Sequence, residues 1–284
     1  MLFRAVPSFV TPRTAPLGGL VILMFALPLS LSCSGHGSNN PGAQSPERQS
    51  DAAYDLAVDT FHRGNPRGAL DQALKAVDLN EDNAKALYFT STIYAYFCAG
   101  PQGMQGPDCK MDEAEKFARR AVKADPQFRD AKNLLGQLLI LEQKPKDAIA
   151  ILEPLTKDPA YESSYLAWGN LGWAQVKAGM LDQGIASLRN AVTQPRFCVG
   201  HYRLGVAWEE KKDFTQAEQS LTSAVTVDSP DCQALQDAWQ ARGRVRNKLG
   251  RTADARADLE KCRDLSPETK AGKDCVQMLA ALPH

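Results

Sequence analysis

Five times along this 284-residue chain a small residue is followed twelve positions later by another: Ala57/Ala69, Gly136/Ala148, Gly172/Gly184, Gly205/Ala217 and Gly243/Ala255. Small side chains at that separation let two consecutive antiparallel helices touch closely, so the spacing predicts helical hairpins rather than sheets. From Gly136 onward the pairs begin 36, 33 and 38 residues apart. A hairpin repeated at such an interval cannot bury its apolar face alone and must stack on its neighbours.

The fourth copy is the fullest: Trp168, Leu171, Gly172, Gln175, Gly179, Gly184, Leu188, Ala191 and then Pro195. This resembles the tetratricopeptide repeat, whose signature is W-x2-L-G-x2-Y, then A-x3-F, then P. The expected fold is all-α, a right-handed solenoid of six tetratricopeptide repeats with a C-terminal capping helix. Repeats are expected at about 51–83, 84–128, 129–162, 163–197, 198–231 and 235–268, with the cap at 268–284. A proline near each repeat end stops the second helix and forces the turn into the next hairpin. In the cap, Val276, Leu279 and Leu282 are expected to cover the open end of the stack.

The first 32 residues read as a signal peptide: Arg4 and Arg13, no acid, and an apolar stretch from Leu17 to Leu31 broken by Gly18, Gly19 and Pro28. That run ends in Leu-Ser-Leu-Ser-Cys33, which resembles a bacterial lipoprotein box, with Ser30 where such boxes usually carry leucine. The resemblance implies acylation of the Cys33 thiol, and Ser34 after it resembles the pattern that sends lipoproteins to an outer membrane. Residues 34–50 contain no hydrophobe larger than alanine, so 33–50 is expected to be a lipidated cysteine followed by a flexible tether. Random-coil scaling gives that tether a reach of roughly 20–25 Å.

Without the first 33 residues the chain holds 31 basic and 33 acidic side chains. There is no basic stripe with interleaved aromatics, which argues against a nucleic-acid partner. Six further cysteines remain: Cys98, Cys109, Cys198, Cys232, Cys262 and Cys275. An even number in an exported chain implies disulfides, and six cysteines allow fifteen pairings. The repeat frame favours neighbours. Cys98 and Cys109 bracket an eleven-residue excess in repeat two, Cys198 and Cys232 sit at consecutive repeat junctions, and Cys262 faces the helix carrying Cys275. Zinc is disfavoured because no C-x2-C or C…H-x3-H spacing exists. Phosphate-loop, nucleophile-elbow and H-E-x-x-H motifs are absent too, and the four histidines are scattered. His201 stands where Trp168 stands in its own repeat, a packing position. The residues form no catalytic constellation and imply no cofactor, metal or small-molecule substrate.

In the tetratricopeptide repeat the first helix of each hairpin lines a groove. Counting the small residue as position eight, positions five, nine, twelve and thirteen face it. The N-terminal end is then aromatic and apolar (Tyr54, Val58, Phe61, Tyr88, Tyr96), and Trp173 and Lys177 stand in repeat four. The far end is polar, with Glu209, Arg244 and Lys248. Tyr and Phe supply contact area at low entropic cost, so Tyr54, Val58, Phe61, Tyr88 and Tyr96 are the candidate partner-binding residues.

An exported chain of six such repeats with a cysteine at the signal boundary resembles the type IV pilus secretin pilotin lipoproteins, the Tgl, PilF and PilW kind. Two stretches carry the resemblance beyond the generic repeat: Tyr165 to Ala174 (YLAWGNLGWA) and Arg196 to Gly205 (RFCVGHYRLG). The cysteine-bracketed loop of repeat two departs from it. The resemblance implies a non-catalytic lipoprotein anchored at the periplasmic face of the outer membrane. It would bind secretin subunits and promote their targeting and multimerisation for pilus assembly. The rival of the same class is a scaffold for another envelope machine, such as outer-membrane protein insertion or cell-wall enzyme recruitment.

Overall fold

The first helix opens where Ser45 meets Pro46. In the computed structural model, which describes residues 45–99 and 103–283, helix α1 runs Pro46–His62. The Ser45 side chain accepts from the Arg48 N–H, Pro46 occupies the first turn and Glu47 adds a negative charge there. These are three independent start signals. The helix thus begins five residues before the expected boundary at 51, and the tether expected over 33–50 is shorter than its composition implied. Ser50 is fully buried, donating to the Ala76 carbonyl at 2.7 Å and accepting from Asn83 at 2.9 Å. The expected signal peptide, Cys33 and the rest of the tether lie outside the described residues.

Six hairpins follow one another. They pair α1 with α2 (Pro66–Leu79), α3 (Ala84–Cys98) with α4 (Met111–Ala124), and α5 (Arg129–Leu141) with α6 (Pro145–Thr156). Next come α7 (Ser164–Lys177) with α8 (Leu181–Ala191), and α9 (Cys198–Glu210) with α10 (Phe214–Thr226). After a four-residue turn of helix, α11 (Pro230–Gln233), the last hairpin joins α12 (Gln236–Lys248) to α13 (Thr252–Leu265), and α14 (Lys270–Ala280) closes the stack. No strand occurs among the described residues.

Each small-residue pair sits where its two helices cross. Ala57, Ala69, Ala148, Ala217 and Ala255 are fully buried. A Cβ on Gly136, Gly205 or Gly243 would come within 2.8 Å of the leucine one turn along the partner helix. Seven residues after each such glycine or alanine the chain turns with positive φ, at Gly64, Gln143, Gly179, Lys212 and Gly250. Three of the five are glycine, the residue that adopts this conformation without strain.

Repeat two keeps the same frame around its insertion. Ser91 takes the small-residue position and donates to the Ala114 carbonyl at 2.7 Å, twelve residues plus eleven further on. The extra loop carries a short 3-10 turn, Gly103–Gln105, and is closed by a Cys98–Cys109 disulfide. Arg67 of repeat one holds it at Asp108, 2.7 Å away. The other two disulfides, Cys198–Cys232 and Cys262–Cys275, also join neighbours in the repeat frame. Helix α11, which the sequence pattern missed, accounts for the long interval before repeat six and carries Cys232.

Both ends of the stack differ from its middle. Leu56 is 48% exposed, whereas Leu135, Leu171 and Leu204 at the same register are buried, because no described hairpin packs before α1. At the other end Leu282, Leu279 and Met278 close over Ala255, Leu259 and the Cys262–Cys275 bridge. Val276, expected in that seal, points outward and is 47% exposed. It lies one residue past Cys275, whose buried sulfur fixes which side of α14 faces in.

Candidate functional site

The first helices of neighbouring hairpins touch one another directly, α1 on α3, α3 on α5, α5 on α7, α7 on α9 and α9 on α12. Elements that crowd together along a stack lie on its tighter side, so these helices line the concave face. The face divides into three parts.

At the N-terminal end Tyr54, Val58 and Phe61 follow at intervals of four and three along α1 and so share one side of it. They pack against Phe89, whose ring is 5.9 Å from that of Tyr54 and 5.7 Å from that of Phe61, both edge-on. Phe61 also meets Tyr96 at 5.2 Å, and Tyr96 meets Phe97 at 6.1 Å. Edge-to-face geometry of this kind adds attraction beyond the area buried and fixes the rings relative to each other. Tyr96 leaves 41% of its surface in solvent. Burial pushes the Tyr54 phenol above its ordinary range, and its negative neighbour Asp55 adds to the shift.

Tyr88 stands apart from that cluster. Its ring leans on Phe128 at 5.0 Å, the residue that opens α5, so it is a joint between repeats two and three. Burial, with Asp130 nearby, drives its phenol far up. Phe89 and Phe97, at the heart and the edge of the cluster, were not among the expected residues. The usable signal was Phe89, Ile93 and Tyr96 at intervals of four and three, the register that Tyr54, Val58 and Phe61 follow on α1.

The middle of the face is polar underneath and aromatic on top. Arg203 of α9 donates to the Asn170 side-chain oxygen at 2.7 Å and to the Gly169 carbonyl at 3.1 Å. Asn170 in turn donates to the Asn133 oxygen at 3.0 Å, so one hydrogen-bonded line crosses repeats five, four and three. Above it lies Trp173, with the Lys177 ammonium 4.5 Å and the Arg203 guanidinium carbon 5.9 Å from its ring centre. Burial lowers Arg203 to about 10.

The far end is self-paired. Glu209 accepts from Nε and one terminal nitrogen of the Arg244 guanidinium, each at 2.7 Å, and from the Lys248 ammonium at 3.1 Å. Burial raises its pKa, but those hydrogen bonds outweigh it and hold Glu209 below the usual carboxylate range. His201, in the first turn of α9, is half-buried with its pKa lowered by burial, in keeping with the packing role read from its register.

Two segments match family models described as tetratricopeptide repeat, residues 110–162 and 236–269. They correspond to α4 through α6 and to the last hairpin.

Those two stretches are tetratricopeptide repeats, and the other hairpins share their fold.

No curated protein matches its sequence. Among solved structures the repeat protein is similar to PilW, described as a widely conserved type IV pilus biogenesis factor. The TM-score is 0.65 at 18% identity, covering 80% of this chain and 98% of that one. It is similar to PilF of Pseudomonas aeruginosa at TM-score 0.61 and 14% identity, over 83% of this chain and all of the other. A tetratricopeptide repeat protein of Parabacteroides merdae aligns at TM-score 0.63 and 14% identity, over 81% and 84% of the two chains. At such identities the likeness is one of fold, and it confirms the all-helical repeat architecture.

Proposed function

We propose that this repeat protein is a pilotin: an outer-membrane lipoprotein, anchored through Cys33 at the periplasmic face, that binds secretin subunits and promotes their targeting and multimerisation for type IV pilus assembly. The observation that carries the reading is the rigid aromatic cluster of Tyr54, Phe61, Phe89 and Tyr96. It lies at the end of the groove nearest the chain's N-terminal segment, on a fold shared with two type IV pilus proteins. Val58 widens its apolar base, and Tyr88, at the joint with repeat three, continues the aromatic lining beyond it. The role is non-catalytic. A lipid anchor would confine the groove to a thin layer at the membrane and raise the local concentration of a captured subunit there.

The test is the amount of heat-resistant secretin multimer in cells with and without the protein. Loss of multimers while secretin monomer persists is expected, with Tyr96→Ala giving a partial loss and Cys33→Ala mislocalising the protein. Unchanged multimers in the deletion strain would overturn the pilotin reading and leave a scaffold serving another envelope machine.

A further inference from the structure

We propose that the centre of the groove takes a carboxylate of the bound polypeptide, at the Trp173 ring where Lys177 and Arg203 converge. The inference shares with the proposed function the premise that a polypeptide lies in the groove. It does not require that polypeptide to be a secretin.

The argument is one of charge left over. Arg203 is only 3% exposed, and the groups it donates to, the Gly169 carbonyl and the Asn170 amide, are neutral. Lys177 is exposed and folds over the indole. Among the described residues neither has a carboxylate within ion-pair distance, and Glu210, exposed at the corresponding register of α9, pairs with neither. Two other indoles of the chain carry a cation that is compensated by a carboxylate, and the further cation on Trp208, Arg189, is exposed and already solvated. Arg242 stacks on Trp239 but is neutralised by Asp258 at 2.7 Å. Lys211 stacks on Trp208 and reaches Asp182 at 2.5 Å. The neighbouring part of the groove adds to the excess, since Glu209 faces two cations, Arg244 and Lys248.

A buried cation without a counter-charge retains its desolvation cost in the free protein. A carboxylate arriving from the groove offsets that cost and meets a donor at once, because Lys177 is in solvent and free to swing from the ring. Arg203 acts from behind as a fixed positive field, while the indole face gives the acidic side chain's methylenes an apolar floor. The occupant is therefore a segment with an aspartate or glutamate placed over repeat four.

The experiment uses a random-sequence peptide library selected on the whole exported protein, so its outcome does not depend on secretin. A selected acidic peptide and its amide counterpart (Asp→Asn or Glu→Gln) are then titrated against wild type and Lys177→Gln by fluorescence anisotropy. Lys177 is exposed, so this variant folds. Arg203→Met, checked by circular dichroism, is the second variant. Enrichment of acidic residues is expected, with the acid-to-amide change weakening binding to wild type about fivefold and binding to Lys177→Gln hardly at all. The proposal fails if wild type selects no peptide, if the selected peptides lack acidic enrichment, or if the amide change costs the same on both proteins. Failure of the secretin assay with success here would mean an acidic client of another kind.

Discussion

Gly172 and Gly184 meet so closely that a Cβ built on either would lie 2.9 Å from the carbonyl oxygen of the other. The obstacle is backbone, which cannot rotate away as a side chain can. Gly172→Ala is therefore expected to force α7 and α8 apart and to destabilise the protein by about 2 kcal/mol. Alanine's better helix propensity offsets less than half of the strain. Gly136→Ala is the comparison, because the three atoms nearest its Cβ all belong to the Leu152 side chain. A smaller loss is expected there. Urea midpoints of the two variants check the order, and equal losses would refute the backbone argument.

The close helix crossings were legible in the sequence because close approach demands small residues and leaves a spacing behind. What sets the groove's shape was less so. Tyr88 and Tyr96 have the same composition signal, yet Phe128 covers one while the other leaves 41% of its surface in solvent. That difference depends on where the next repeat's first residue falls, which no local pattern records. Phe89 was overlooked because its register points between first helices, a place the groove count skips. Helix α11 was too short for any periodicity to show, and only the long Gly205 to Gly243 interval hinted at it. The three disulfides were legible because the repeat frame had already made their cysteines neighbours.

Lys212 adopts φ of 66° at the turn where Gly64, Gly179 and Gly250 stand in other repeats. A side chain in this left-handed conformation costs about 1–2 kcal/mol, against about 0.5–1 kcal/mol of extra unfolded-state entropy for glycine. Lys212→Gly should therefore raise stability by about 0.5–1 kcal/mol. Lys212 is exposed and makes no ion pair among the described residues, so nothing else is lost. A lower thermal midpoint for the variant would contradict this account.

Glu142, at the end of α5, lies against Glu115 of α4, and Lys144 reaches both, at 2.5 Å and 2.6 Å. Two touching carboxyls share one proton. Burial and the contact with Glu115 raise Glu142, while the hydrogen bond from Glu142 and the nearby cations lower Glu115 to about 2. A raised folded-state pKa gives stability that is complete below the ordinary 4.5 and is lost as pH rises through the raised value. Glu115 works in the opposite sense, and its contribution fades only as pH falls towards 2. Glu142→Gln keeps an N–H donor towards Glu115 without a titrating proton. The variant should match wild type near pH 4.5, exceed it by a growing margin as the pH rises through the raised Glu142 value, and keep a constant margin above that value. Urea midpoints measured across that range give the answer, and parallel curves for the two proteins would count against the shared proton.

Asp258 is the deepest charge on the chain's second helices, only 2% exposed. It receives Arg242 through two bonds, 2.9 and 2.7 Å, and Arg246 through a third of 2.9 Å. Arg246 continues to Glu218 of α10 at 2.9 Å, and Arg251 reaches the same Glu218, so the network ties repeat five to repeat six. Removing one partner from such a set leaves the others charged and desolvated. Asp258→Ala is expected to cost about 3–5 kcal/mol. The exposed pair Lys211–Asp182 is the control, because water already screens both groups, and Asp182→Ala should cost less than about 1 kcal/mol. The Asp258 loss should fall first on the C-terminal end of the stack, since each hairpin is held only by its neighbours. Hydrogen exchange would show it as lost protection in α12 and α13 while α3 and α5 stay protected. Uniform loss along the chain would mean that the six repeats unfold as one unit and that the network is not a local tie.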